Sequence, residues 1–337
     1  MRVRLKDIAA DLNLSKMTIS KVLRGQTDIS DATKARVLKR VKELNYIPNI
    51  SASSLRTGQT KTMGLILPSI GRPHLAEVAG GIHQSVSVEG YSLIVCSSED
   101  DVECEQRQFE IFVSLQVDAL FILSIQETAA FFEQVPRSMK MPVVFLGNKP
   151  AGVTESFVSV HEEEVGRIPC EHLLKTGCKR IAYLRGPRTA AGDMRASGYR
   201  RALGEQGIAV QPDLVIESMN GEESEYKRGH EAVERLLRRR VRPDGVMAYT
   251  DMMAVGAMDA ATGRGVRIPE EMRFAGCGDD PLLCAMRIPL TSVDTGEREV
   301  GLRAGRIALR AIGNARRPQK VLIKPSLIKR MSSEILR

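Results

Sequence analysis

Five side chains within six consecutive positions, Lys16, Met17, Thr18, Ser20 and Lys21, make a dense group of contact chemistry, and Arg24 follows them closely. Ammonium, guanidinium and hydroxyl groups donate hydrogen bonds, while the thioether offers a soft apolar contact. Such a set suits holding a polyanion rather than breaking a bond. The charge distribution agrees. Residues 1–61 carry 13 Lys/Arg against 5 Asp/Glu, a balance of +8 that equals the net charge of the whole chain. Residues 62–337 carry 36 of each sign. A basic head on a neutral body implies a polyanionic partner for the head and a different partner for the body.

Bond-breaking chemistry finds no comparable group. No Gly-x-Gly-x-x-Gly runs from a strand into a helix, and there is no Gly-Lys-Ser/Thr phosphate loop, Gly-x-Ser-x-Gly or His-Glu-x-x-His. Glu162–Glu164 is a run of carboxylates, but it opens an expected helix, where acids favour the dipole. Six cysteines are scattered without a Cys-x-x-Cys, mostly in apolar surroundings. His161, Cys170, His172 and Cys178 match no zinc spacing. The expectation is a protein that is not an enzyme and carries no metal or cofactor.

The contact group needs a scaffold, and the flanking residues supply one. Leu5, Ile8, Ala9 and Leu12 fall at helical spacing. Asn13 sits where a tight turn wants a residue that tolerates the left-handed conformation, and Ser15 can cap the next helix. In that helix Ile19, Val22 and Leu23 turn inward, leaving Lys16, Met17, Ser20, Lys21 and Arg24 outward. This is helix-turn-helix logic, in which the second helix enters the major groove of duplex DNA. A third helix is expected from a cap at Ser30 to about Asn45, with Ala35, Val37, Leu38, Val41 and Leu44 on its core side. Its other face is basic through Lys34, Arg36, Lys39, Arg40 and Lys42.

Pro48 stops that helix, and Asn49 could cap a short one ended by Gly58, with Ala52 and Leu55 on one face. From the residues alone a disordered linker is the stronger reading, because so short a helix is not stable in water. After Thr60 apolar strands alternate with amphipathic helices in two series: TMGLILP, YSLIVCS, VDALFIL and PVVFLG, then KRIAYLRG, LVIES, DGVMAYT and MRFAGC. That pattern implies an α/β body of two doubly wound parallel-sheet lobes behind an all-α head. Ligands of such folds bind where strands end, which selects Ser69 to His74, Gly147–Asn148, the 186–195 loop, Thr250–Asp251 and Gly278–Asp280.

LKDIAADLNLSKMTISKVLRG, followed by NYIPN and a leucine before Gly58, resembles the lac/gal repressor (LacI/GalR) family. The resemblance assigns Lys16, Met17 and Lys21 to base reading and Thr18 and Ser20 to phosphate contact. It makes residues 49–59 a hinge that folds on DNA, with Leu55 prying open the operator centre, and so reverses the linker reading. Arg24, Asn49 and Ala52 complete the expected DNA contacts. Met17 departs from the family pattern, since it can offer only an apolar contact, such as to a thymine methyl.

The likeness continues through LRGPRTAAGDMRASGYRRAL, YTDMMAVGAMDAATGRGVRIPEEM and PLTSVDTGEREVGLRAG, which are similar to effector domains of periplasmic-binding-protein type. It implies domains at 1–48, 49–59 and 60–337, with an N-lobe of about 60–160 and 291–321 and a C-lobe of about 161–290 and 322–337. Arg195, Thr250 and Asp251 match effector-contacting positions, and Ser69, Arg72, His74, Asn148 and Asp279 join them as candidates. Acidic positions that commonly grip neutral sugars are Gly147 and Gly278 here. Together with Arg72 beside Arg195, that suits an anion such as a sugar acid, and KMTISK with Gly276–Asp279 also resembles the gluconate-repressor branch. An ordinary sugar, with Arg72 facing solvent, stays open. The implied protein is a cytoplasmic, bacterial regulator, a homodimer on near-palindromic operator DNA, nucleoid-associated when bound. A cytoplasmic enzyme or a solute-binding protein on the same fold is the alternative. MRVRLKDIAADL lacks the apolar core of a secretion signal, and no heptad run suggests a tetramerising helix.

Overall fold

The computed structural model describes residues 3–23, 26–46, 58–134, 141–147, 150–217, 224–313 and 317–334. It divides into two compact units, Met1–Thr60 and Lys61–Arg337.

In the first unit, helices α1 (Leu5–Leu12), α2 (Lys16–Leu23) and α3 (Asp31–Glu43) pack around Ile8, Ala9, Ile19, Val22 and Val37. Asn13 takes the left-handed conformation at φ 53°, and its N–H returns to the carbonyl of Ala10 at 3.2 Å. Ser15 caps α2 by accepting from the Thr18 N–H at 3.0 Å, and Ser30 caps α3 by accepting from Thr33 at 3.4 Å. The expected core side of α3 needs correction. Leu38 is 53% exposed and Ala35 is exposed as well. Val37, Val41 and Leu44 form the inward seam, and Leu38 stands about 100° around the helix from Val37. The helix also ends at Glu43, where Asn45 turns left-handed at φ 45°. Its basic face is partly a clamp: Arg40 Nε donates to Asp11 at 2.8 Å and Arg36 Nη2 to the Leu12 carbonyl at 3.3 Å. Of the expected hinge at 49–59, residues 49–57 lie outside the described residues.

In the second unit the strands, in chain order, are β1 (Thr62–Leu67), β2 (Ser92–Ser97), β3 (Ala119–Ile122), β4 (Val143–Leu146), β5 (Ser156–Val160) and β6 (Ile181–Arg185). They continue as β7 (Val215–Glu217), β8 (Gly245–Ala248), β9 (Arg273–Cys277), β10 (Thr291–Asp294), β11 (Lys320–Ile323) and β12 (Ser326–Ile328). One sheet has the order β11-β5-β4-β3-β1-β2 and is parallel throughout. The other runs β12-β10-β9-β8-β6-β7, with β12 antiparallel to β10. Helices cover both faces of each, so the central strands read as continuous apolar runs.

Two lobe boundaries move. β10 bonds to β9 in the second sheet, so residues 291–294 belong to the C-lobe rather than the N-lobe. β11 bonds to β5 in the first sheet, so residues 322–323 belong to the N-lobe. The chain therefore passes between sheets at His161, at Thr295–Gly296 and at Lys324–Pro325. Each crossing leaves the carboxyl end of a strand, which is where an α/β sheet offers its crevice.

Candidate nucleic-acid interface and ligand cleft

The cap at Ser15 fixes where α2 starts and hence which residues form its first turn. Lys16 is exposed and Met17 is 67% exposed. Thr18 is half-buried, its hydroxyl 2.9 Å from that of Ser15, and Ser20 is half-buried too. Lys21 forms an ion pair with Asp28 in the turn that follows, a partner the sequence reading missed. Arg24, Asn49, Ala52 and Leu55 lie outside the described residues.

The cleft centres on Arg195, whose side chain is 14% exposed. Its Nε donates to Glu162 Oε2 at 2.6 Å, and its Nη1 donates to the Tyr249 carbonyl at 2.9 Å and to Cys277 Sγ at 3.3 Å. The guanidinium lies 4.4 Å from the centroid of the Tyr249 ring. Glycines make this meeting possible. A Cβ on Gly166 would fall 1.9 Å from the Arg195 carbonyl, and one on Gly198 would fall 1.9 Å from that of Glu163. Helices Glu162–Lys175 and Ala190–Glu205 thus cross at backbone contact, which sets Glu162 beside Arg195. Burial pushes the Cys277 thiol up, against the opposing pull of Arg195. Burial likewise raises Glu297, whose carboxylate accepts from the Thr295 hydroxyl.

From the other lobe, His74 comes within electrostatic reach of Arg195. Water reaches its ring, but crowding by protein and then the Arg72 and Arg195 guanidiniums hold the imidazole down at about 4. Arg72 is half-exposed and bonds Asp100 at 2.5 Å. Ser69 Oγ accepts from the Gly71 N–H at 3.2 Å. Asn148 lies outside the described residues.

The remaining candidates are committed to the protein itself. Thr250 caps helix Asp251–Gly263 and donates to Glu225 at 2.8 Å. Asp251 is buried, accepting from Ser292 Oγ at 2.6 Å and from the Asp280 N–H at 3.0 Å, and burial raises it to about 6. Asp279 turns to Arg330 at 2.7 Å. The glycine at 278 has a local cause as well: φ is +127°, and a Cβ would stand 3.2 Å from Asp251 Oδ2. Thr250, Asp251 and Asp279 therefore shape the loops that Arg195 looks onto. Glu162, Tyr249, Cys277 and Glu297 were missed as cleft residues. The signal for Glu162 was its place just after a strand, but SFVSV did not read as one.

Among the described residues no group of three His, Cys, Asp or Glu is placed to hold a metal, and no helix is long and apolar enough to cross a membrane. Comparison with known proteins adds the family. Residues 4–49 match the model of bacterial regulatory proteins of the lacI family, and residues 170–333 match a periplasmic binding protein-like domain. The head is thus a lacI-family helix-turn-helix domain, followed by a periplasmic-binding-protein-like domain. Its relatives include the HTH-type transcriptional repressor PurR of Aliivibrio salmonicida, 26% identical over 330 residues, spanning 97% of this chain and 98% of that one. Catabolite control protein A of Priestia megaterium is 29% identical over 311 residues, spanning 91% and 92%. Among solved structures, the transcriptional regulator CelR–cellobiose complex is 27% identical with a TM-score of 0.71, spanning 98% of this chain and 100% of that one. With a lacI-type helix-turn-helix head and an α/β body of two mostly parallel six-stranded sheets, the chain is a transcriptional regulator and not an enzyme.

Proposed function

We propose that this regulator is a repressor that binds a near-palindromic operator as a homodimer and answers to a small effector, a sugar or sugar acid, in the interlobe cleft. The observation that carries it is α2 itself. A capped helix presents Met17 at 67% exposure beside exposed Lys16, on a head whose balance of +8 equals the net charge of the whole chain. Lys16, Met17 and Lys21 read bases, Thr18 and Ser20 hold phosphates, and Arg24, Asn49, Ala52 and Leu55 extend the contact. Residues 1–48 form the reading domain, 49–59 the hinge and 60–337 the effector and dimerisation body.

Apolar side chains left uncovered support a dimer. Ile94 and Val95 on edge strand β2 are 41% and 40% exposed, Val88 is 80% and Leu282 is 75%. Arg195, His74, Arg72 and Ser69, with Asn148, contact the effector, while Thr250, Asp251 and Asp279 fix the surrounding loops. A ligand that closes the cleft moves the lobe that begins at β1, and residues 49–59 carry that motion to the head, giving two global states. The protein acts in the cytoplasm.

Footprinting with ultracentrifugation tests the proposal. A protected near-palindrome, bound by two chains and lost steeply as salt rises, is the expected result. Monomeric binding or unprotected DNA would sink it.

A further inference from the structure

We infer that Glu162 is the built-in counter-ion of Arg195 and tunes the cleft to an uncharged polyol rather than to an anion. The inference rests on the cleft being the effector site. A guanidinium receives a carboxylate best through two parallel N–H groups. The same helix shows that geometry one turn on, where Arg167 meets Glu164 through both Nε at 2.9 Å and Nη2 at 2.8 Å. Glu162 meets Arg195 differently, through Nε alone.

Arg195 Nη2 and Glu162 Oε1 are thereby left without a hydrogen-bond partner among the described residues, and neither is sealed from solvent. They belong to the two halves of one ion pair, a donor on the guanidinium and an acceptor on the carboxylate. A vicinal diol matches that pair: one hydroxyl oxygen accepts from Nη2 and its neighbour donates to Oε1. A ligand carboxylate does not match. To take the Nε–Nη2 edge it must displace Glu162, and until then it faces a like charge in a site where both partners are largely buried, 14% and 11% exposed.

The rest of the cleft gives an anion little compensation. Arg72 already holds Asp100, and His74 is held in its neutral form. Glu297 adds a further carboxyl within the field of Arg195.

The test uses the full chain, with thermal unfolding read in sodium sulfate against sodium chloride of equal ionic strength. Wild type should show only the general stabilisation that a surface-excluded salt gives a folded protein, with no saturable binding of sulfate. In E162Q the freed guanidinium should bind sulfate at least about tenfold more tightly, the scale of one charge-assisted hydrogen bond. Adding Arg195→Met should abolish that gain. E162S, which keeps a helix-starting residue, serves if E162Q does not fold. A panel of neutral mono- and disaccharides with their aldonic and uronic acids completes the experiment, and wild type should respond to neutral members only. An unchanged sulfate response in the Glu162 variants, or stabilisation of wild type by acids alone, overturns the inference. No response of wild type to any sugar would remove the effector reading of the cleft, while the sulfate arm still decides the role of Glu162.

Discussion

The backbone carbonyl of Arg195 occupies the place of a Cβ on Gly166, only 1.9 Å from where that carbon would be. The approach is backbone against backbone, so no rotamer change can relieve it. Gly166→Ala should therefore push helix Glu162–Lys175 away from Ala190–Glu205 and cost roughly 1–3 kcal/mol, the usual range for overpacking. The same displacement would stretch the 2.6 Å contact between Glu162 and Arg195. Urea unfolding reads the first effect and sulfate-dependent stabilisation the second. Wild-type stability in this variant would show that the helices can part freely and that their crossing does not position the ion pair.

Asp251 gives the stability a pH dependence of definite sign. Burial, reinforced by Asp279 and Asp280, raises its folded-state value to about 6 from 3.8, against the pull of Ser292 and the Asp280 N–H. The unfolded chain thus loses this proton first, and stability falls as pH climbs from about 4 to about 6, by no more than about 3 kcal/mol. His74 works in the opposite direction, since its folded-state value is lowered from 6.5 to about 4. Comparison of wild type with Asp251→Asn separates the two. Asn can donate to Ser292 Oγ and still accept from Asp280, so the amide fits, and the variant should gain on wild type as pH rises through that window. Parallel stability curves for the two proteins between pH 4 and 6.5 would show that Asp251 keeps an ordinary proton affinity.

What could be read from the chain alone was local. Asn13, Ser15 and Ser30 announced their turns and caps because each bonds a backbone group within a few residues. The eight strands seen in advance are apolar runs bounded by turn or charged residues. The other four were not: SFVSV (β5) and TSVD (β10) interleave serines and threonines whose burial depends on distant neighbours, as Ser292 is buried with its hydroxyl given to Asp251, and β11 and β12 are short edge strands. Arg195 was legible as a cleft residue, but its partner was not. Glu162 lies 33 positions away and reaches it through a helix crossing that two unremarked glycines permit. Thr250 and Asp251 show the same division: being next to a strand end gave their location, and only packing revealed that their polar atoms face inward.

In the reading head, the ion pair between Lys21 and Asp28 restrains one of the few cations on α2. Asp28 is 55% exposed, so removing its charge should leave the fold intact. Asp28→Asn is expected to free Lys21 for phosphate or base contact and to tighten binding to any duplex at low salt. The slope of log affinity against log salt should steepen by about one for each additional phosphate that a head neutralises. Filter binding or fluorescence anisotropy across a salt series measures it. An unchanged slope would mean that Lys21 remains with other partners when DNA is bound.

Met17 carries the sharpest claim about sequence preference. It is 67% exposed on the first turn of α2, between Lys16 and Thr18, where every neighbour can hydrogen-bond and it cannot. Its thioether can still exclude water from an apolar base edge, and in the major groove the thymine methyl is that edge. Met17→Ala should therefore flatten the preference for thymine at one symmetric position of each half-site, by about 1 kcal/mol, and leave the other positions alone. Met17→Arg should move the same position toward guanine, whose O6 and N7 accept a bidentate guanidinium. Selection from a randomised operator library with all three proteins, followed by affinities for single-base variants, reads both shifts. Identical selected sequences would mean that the side chain points to solvent in the complex, and would return the discrimination to Lys16 and Lys21.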